Sequence, residues 1–508
     1  MNAIDACLSE RNGHLFVEDV DTVDLVKRFG SPLFVFSEDQ IRRNVGRFRE
    51  AFEKGWDCGP VKVMPAVKAN WTQAVQRVLA EEGCGADVYS AGELEIALRA
   101  GMKPAEISVN GVPKAPDHIA RTVEVGARLT IDSLRDVEIL EQLAPSLNTE
   151  TRVAIRLRPA VTQFHRRSDF VPEGPVPTDL VALAYKGGLS FDEAVEAGRR
   201  VLALPSVKLV GFHQHHGRHH PSTAYWEAQM RAYGQEIGRV CRALDGYVPQ
   251  EIDIGGGFAM PRDPHNAATD YLAPYQFGLL YALSWSLRPL GSSLRYRLLK
   301  PLLSLASQKP NTKAAPSIED YAAVATHVLR TSLEHEGIDP QGITLQLEPG
   351  RSIHGNAGVH LTSVCATKTM DDPLPFAHVV VDTSEFWLAG GRLEHHLHEY
   401  QWANKMNATP TRHADISGRS CYADRLLGRV PVPDVEVGDV LALLDTGAYQ
   451  EVSASNFNAM ARPAAVLVRG SDAHVIRRAE TFDDVVARDE LPPHLMPASS
   501  SDSRREAS

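Results

Sequence analysis

The chain has 508 residues, 43% hydrophobic and 23% charged, an ordinary globular composition with room for a barrel and at least one further domain. Acidic residues outnumber basic ones and leave a net charge of −11 at pH 7, which excludes nucleic-acid binding through a basic footprint. No apolar run reaches the roughly 18–20 residues of a membrane span, and "MNAIDACLSERNGHLF" lacks the basic and apolar regions of a signal peptide.

Near the N-terminus, "HLFVEDV" and "SPLFVFS" read as strands. From about residue 60, short β-rich segments alternate with helical ones. The predicted strands are "VKVMPAV" (61–67), "ADVYS" (86–90), "EISVN" (106–110), "RLTID" (128–132), "RVAIRLR" (152–158), "VKLVGFHQH" (207–215), "EIDI" (251–254) and "ITLQLE" (343–348). Stretches such as "AGELEIALRAG" and "DSLRDVEILEQLA" lie between them with helical periodicity, so the units are βαβ and the sheet parallel. Eight such strands imply a closed (β/α)8 TIM-type barrel. Pro65 is a blemish in the first, because proline removes a ladder hydrogen bond.

The barrel is interrupted at about 259–317 by an apolar, locally basic segment. Arg288, Arg295, Arg297, Lys300, Lys309 and Lys313 fall between Asp270 and Glu319 with no acid among them. A helical excursion packed on the barrel or on a partner subunit is the plain reading. A lid, a membrane-surface contact or a dock for an acidic protein are the sharper ones. After residue 355, "HVVVDTSEFWLA", "GDVLALLDTGAY" and "AAVLVRG" are β segments without regular helices.

The chain therefore divides into N-terminal strands (1–36) that complete a C-terminal mostly-β domain (355–490), an α/β barrel (37–354), and a polar tail (491–508) expected to be disordered. The six cysteines, Cys7, Cys58, Cys84, Cys241, Cys365 and Cys421, are scattered without a C-x-x-C pair. That pattern reads as reduced thiols of a cytoplasmic protein.

In a barrel, chemistry gathers where strands end. Those ends carry Lys68, Asp87 and Ser90, Asn110, Asp132, Arg156, His215, the run Gly255, Gly256, Gly257, and Glu348-Pro-Gly350-Arg351. Three consecutive glycines bring backbone N–H groups close to an anion, which Arg351 would supplement. A lysine at a strand end suggests a Schiff base. A buried Glu348 could keep a pyridine nitrogen protonated. Together these describe pyridoxal 5'-phosphate better than a nicotinamide, a flavin or a metal.

The ordered motifs "SPLFVFSEDQIRRNVGRFREAF", "MPAVKAN", "ADVYSAGELEIALRAG", "IRLRP", "IDIGGGF", "LEPGRSIHGNAG", "GRSCYADRLL" and "GDVLALLDTGAYQEVSASNFN" resemble the fold-type III pyridoxal-phosphate-dependent decarboxylases. This is the alanine-racemase-like group that includes diaminopimelate, ornithine and arginine decarboxylases. The resemblance spans about residues 14 to 470 apart from the insertion. It implies a cytoplasmic lyase, usually a homodimer with active sites shared across the interface, that decarboxylates a small-molecule amino acid. Lys68 would bind the cofactor as a Schiff base and Glu348 would pair with its ring nitrogen. Gly255, Gly256, Gly257, Gly350, Arg351 and Tyr449 would form the phosphate end. Asp87 and Arg156 would support the site, and Cys421 would act in protonation near the substrate α-carbon. In "GFHQHHGRHH" (211–220), five histidines in ten positions first suggest a metal. The resemblance instead gives His215 to the cofactor ring, and no metal is expected.

Plain structural roles stand beside these. Tyr449 is read as a packed aromatic, Cys421 as a small hydrophobe, Asp132 with Ser133 as a helix cap, and Arg156 and Lys186 as ion pairs. Asp87 and Glu93 are read as orienting Lys68 or capping helices. Three departures bear on substrate choice. Tyr422 stands where relatives place an acid after the cysteine. Gly390, with Arg392 two residues on, stands where diaminopimelate enzymes place an arginine. Arg218 replaces a small hydroxyl residue. They point to a specialised substrate, with an acidic carrier protein as a candidate partner through the basic insertion. A racemase or epimerase on the same fold would place an arginine where Glu348 stands. A non-catalytic cofactor-binding partner protein would be expected to lack Lys68 or Cys421.

Overall fold

The computed structural model describes residues 5–146, 150–158, 186–215, 222–260, 273–305, 315–370, 376–388, 398–422 and 424–496, with the short strands Gln163–Phe164 and Gly174–Pro175. Eight parallel strands follow in chain order: Val61–Val63, Ala86–Val88, Ile107–Val109, Arg128–Ile131, Thr151–Arg156, Val207–His213, Glu251–Asp253 and Thr344–Leu347. Each pairs with its chain neighbours, and the last pairs with the first. Closure between the first and second uses Gly85 N–H to Val63 O (3.1 Å) and Asp87 N–H to Pro65 O (3.2 Å). The sheet is therefore a barrel, as the alternation predicts.

The first strand is shorter than expected. It ends at Val63, and Pro65 contributes only its carbonyl. The chain then turns through the 3-10 segment Val67–Ala69, which carries Lys68. The sixth strand likewise ends at His213, so His215 lies two residues beyond it and not within it. Serine side chains cap the helices between strands: Ser37, Ser90, Ser133, Ser222 and Ser317 each accept an N–H from the first turn. Ser133, rather than Asp132, is thus the cap of Leu134–Leu143.

The second unit is a nine-stranded sheet built around Gly358–Met370. Leu33–Ser37 enters it from the N-terminal side, antiparallel to Gly358–Met370 and parallel to Ala464–Arg469. Its side chains alternate. Leu33 and Val35 join one apolar cluster, Phe34 and Phe36 the other. The expectation for 1–36 needs one correction: Leu8–Arg11, His14–Val17 and Val20–Asp21 form a separate three-stranded sheet. That sheet packs Leu8, Leu15 and Val17 against Val359 and Val466.

Within the insertion, helices Ala273–Ser286 and Ser292–Leu305 flank the turn Arg288–Leu290. They close on Leu280 and Leu299, with Leu283, Leu287 and Tyr296 beside them. This cluster is separate from the barrel core. At the C-terminus, 491–496 are exposed and include the turn Pro493–Leu495; the rest of the predicted tail lies outside the described residues.

Candidate active site

Strands buried on both faces are usually continuously apolar, yet several here place polar residues two apart: Ser108 and Asn110, Glu251 and Asp253, Gln346 and Glu348. Period-two alternation aims each pair to one side, and hydrogen bonds across the barrel show that side to be its interior. In the lower layer, Arg128 Nη2 donates to Ser108 Oγ (2.6 Å) and Asp253 Oδ2 (2.7 Å), and Nη1 donates to Gln346 Oε1. Gln346 Nε2 donates to Glu251 Oε2 (2.9 Å). In the upper layer, Asn110 Nδ2 donates to Asp87 Oδ1 (2.7 Å) and Glu348 Oε1 (2.6 Å). Lys68 Nζ donates to Asp87 Oδ2 (2.7 Å), and His213 Nε2 lies 3.2 Å from Glu348 Oε2.

Charge is graded through this stack. Burial alone would discourage a charged Lys68, but Asp87, then Tyr449 and Glu348, outweigh it and hold the ammonium. Burial would also raise Asp87, yet Lys68 and the Asn110 amide keep it low and ionised. Glu348 goes the other way: burial, then the Asp87 charge, push its carboxyl up. Burial and Glu348 together lift Asp253 to about 7, and burial depresses His213 to about 4. Lys68 remains 40% accessible where Asp87 is 4%. The arrangement is thus a reachable amine above a deep carboxyl that a nearby cation would ionise.

The glycine turn after the seventh strand, next to the eighth, packs closely. A Cβ on Gly256 would lie 2.3 Å from the Glu348 carbonyl oxygen, which no side chain can accept. Gly255 N–H donates to Asp253 Oδ1 (3.0 Å), and Gly256 N–H points to His215 Nδ1 (3.4 Å). The glycines thus bring His215 against the end of strand eight. Gly257 completes the turn with φ 98°. Arg351, buried, lies beneath the Tyr449 ring at 5.1 Å. A Cβ on Gly350 would meet Tyr449 Oη at 2.6 Å. The β domain is fastened here: Tyr449 N–H donates to Ala69 O (2.8 Å) and Asn70 Nδ2 to Gly447 O (3.1 Å). Lys68 therefore sits at the seam between the two units.

Arg156 is an ion-pair residue, Nη1 on Asp132 Oδ2 (2.7 Å), with Nη2 toward the His215 carbonyl (3.4 Å). Glu93 accepts the Tyr89 N–H (2.7 Å), and Lys186 stands over the Tyr89 ring at 5.9 Å. Cys421 is exposed and clamped by Asn458, which accepts its N–H (3.0 Å) and directs Nδ2 to its sulfur (3.1 Å). No hydrogen bond among the described residues joins Cys421 to the Lys68 group. Tyr422 is exposed with its edge toward Phe386. Arg218, Gly390 and Arg392 lie outside the described residues.

Sequence reasoning named Lys68, Asp87 and Glu348 but passed over Asn110 as a bridge, His213, Asp253 and Arg128. The paired polar positions in otherwise apolar strands were the available signal. His213, Asp253 and Glu348 hold ligand-type atoms within 4.8 Å of one another, but Arg128 already pairs with Asp253 and the Asn110 amide already donates to Glu348. The set fits pyridoxal phosphate: an accessible amine, an acid at depth for the ring nitrogen, and a tight glycine turn with Arg351 for the phosphate.

The comparisons agree. Residues 38–275 match the family model of the pyridoxal-dependent decarboxylase, pyridoxal binding domain. Diaminopimelate decarboxylase of Methanocaldococcus jannaschii is 28% identical, with 96% of this chain and 97% of that protein aligned. The Pseudomonas aeruginosa enzyme of the same name is 29% identical over 96% and 99%. The crystal structure of the M. jannaschii enzyme superimposes with a TM-score of 0.78 at 26% identity, covering 96% and 99%. The barrel, the β domain, the Lys68 stack and these likenesses together support a pyridoxal-phosphate-dependent amino acid decarboxylase of the fold-type III kind.

Proposed function

We propose that Lys68 bonds the cofactor through Nζ, and that the substrate is a free diamino acid of the diaminopimelate class whose distal end is read differently from that of the relatives. The hydrogen-bonded chain Lys68–Asp87–Asn110–Glu348 carries this reading. Bound pyridoxal phosphate supplies the sink for the electron pair left when carbon dioxide departs. Glu348 holds the proton of the ring nitrogen. Asn110 keeps Glu348 and Asp87 apart by bonding both, so each retains its own proton state. Asp87 orients Lys68 Nζ and takes up its charge. His215, fixed by the Gly256 N–H, would back the ring, while the Gly257 end of the turn, Arg351 and Tyr449 would hold the phosphate, since the Gly255 N–H is taken by Asp253.

Cys421 gives its proton to the α-carbon once carbon dioxide has left. The working unit of this reading is a homodimer in which the exposed Cys421 of one copy serves the opening of the other. Tyr422, in the place of an acid, removes a partner for the distal amine and supports altered recognition there.

Borohydride reduction of the holoprotein followed by peptide mass analysis is expected to find the pyridoxyl group on Lys68. Carbon dioxide release would be followed for meso-diaminopimelate, lysine, ornithine and arginine, with Lys68→Ala abolishing it. Label on another lysine would overturn the attachment. Bound cofactor with no release from any of the four would overturn the free diamino acid.

A further inference from the structure

Between Asp270 and Glu319 the chain has six basic residues and no acidic one, although the whole carries −11. The helix Ala273–Ser286 contains no charged residue at all. At about 100° per residue, Leu279, Leu280, Leu283 and Trp285 are distributed round it. Leu280 and Leu283 face the small cluster with Leu299, whereas Leu279 and Trp285 are 59% and 58% exposed. Past the turn, Leu290, Leu294 and Leu298 are exposed as well. Arg288, Arg297 and Lys300 are exposed among them, and the Arg288 guanidinium lies over the Trp285 ring at 4.9 Å.

A helix in water keeps its outer face polar; one that is apolar on several sides needs an apolar cover. The acid-free, cationic setting selects a negatively charged cover. An acidic protein surface would answer the cations but leave Leu279 and Trp285 without an apolar cover. Lipid meets both requirements: acyl chains for leucine and tryptophan, phosphates for the arginines and lysine. A helix of 14 residues is about 21 Å long, too short for a core about 30 Å thick, and no helix among the described residues is long and apolar enough to cross. We propose that the turn end of this helix pair seats the protein on an anionic lipid surface. Trp285, Leu290, Leu294 and Leu298 enter the headgroup–acyl boundary while Arg288, Arg297 and Lys300 pair with phosphates.

The test is flotation of the full-length holoprotein with phosphatidylcholine vesicles, with and without phosphatidylglycerol. The protein is expected to float with the anionic vesicles only. The variant Trp285→Glu/Leu290→Glu/Leu294→Glu is expected to stay at the bottom. The variant Arg288→Gln/Arg297→Gln/Lys300→Gln is expected to partition about 100-fold less, at about fivefold per cation. Carbon dioxide release is expected to be equal in all three proteins, which separates this surface from the catalytic reading. Absence of flotation, or flotation indifferent to the glutamate substitutions, overturns the proposal. In that event, a fall in oligomer size in the glutamate variant would assign the surface to a second copy. Retention on an immobilised acidic carrier protein would assign it to a protein dock.

Discussion

Glu348 and Arg128 show how single side chains set the character of the barrel interior. Burial and the Asp87 charge push the Glu348 carboxyl from its ordinary 4.5 up toward about 8. A group raised in this way contributes stability that is fully present below its unfolded value and lost as pH rises through its folded one. The thermal midpoint of cofactor-free protein is therefore expected to fall, relative to Glu348→Gln, as pH rises from about 5 to about 8. Parallel curves for the two proteins would contradict this. Arg128 faces Asp253 and Glu251 with all three buried. Arg128→Met leaves Asp253 without its cation, while Glu251 keeps Arg152 and Lys62, an expected loss of about 3–5 kcal/mol in denaturant unfolding. A loss under about 1 kcal/mol would place the charge compensation elsewhere.

Among the elements, the seven-residue strand Val207–His213 and the glycine turn after Glu251–Asp253 carry most of the precision. A Cβ at Gly256 must push the Glu348 carbonyl, a backbone shift of about 1–3 kcal/mol. Gly256→Ala is expected to weaken cofactor retention by about tenfold in equilibrium dialysis, with the far-ultraviolet dichroism unchanged. Unaltered retention would show the turn to be slack. These elements were largely legible. Alternating β and helical periods announced the barrel, and "AVKAN", "IDIGGGF" and "EPGR" placed Lys68, the turn and Glu348 at its rim. What escaped was spatial. Asn110 links Asp87 to Glu348 over sequence separations of 23 and 238 residues, a distance that no local pattern encodes. The first strand ends before 67 because, with no N–H at Pro65, only isolated bonds through Pro65 and Ala66 continue it before the turn at Val67–Ala69. That Leu8–Arg11, His14–Val17 and Val20–Asp21 form a sheet of their own beside the β domain is not visible in the sequence, because strand propensity does not specify which edge a strand meets.

For the whole molecule, the two units share one seam at Ala69–Asn70 and Gly447–Tyr449, and Leu33–Ser37 ties the start of the chain into the distal sheet. A chain lacking residues 1–37 removes a strand bonded on both sides, leaving Phe34 and Val35 partners such as Val466 uncovered. Its β domain is expected to be protease-sensitive and the protein largely insoluble; a soluble, protease-resistant product would show that the sheet can close without it. The same topology has a consequence for synthesis. Leu33–Ser37 leaves the ribosome early, but one of its partners, Ala464–Arg469, is among the last segments made. At about 5–20 residues per second, the strand waits on the order of 15–65 s for Gly358–Met370 and on the order of 20–90 s for Ala464–Arg469, while the barrel folds behind it. The nascent chain is therefore most exposed to chaperones, and to its own neighbours on a polysome, at Leu33–Ser37.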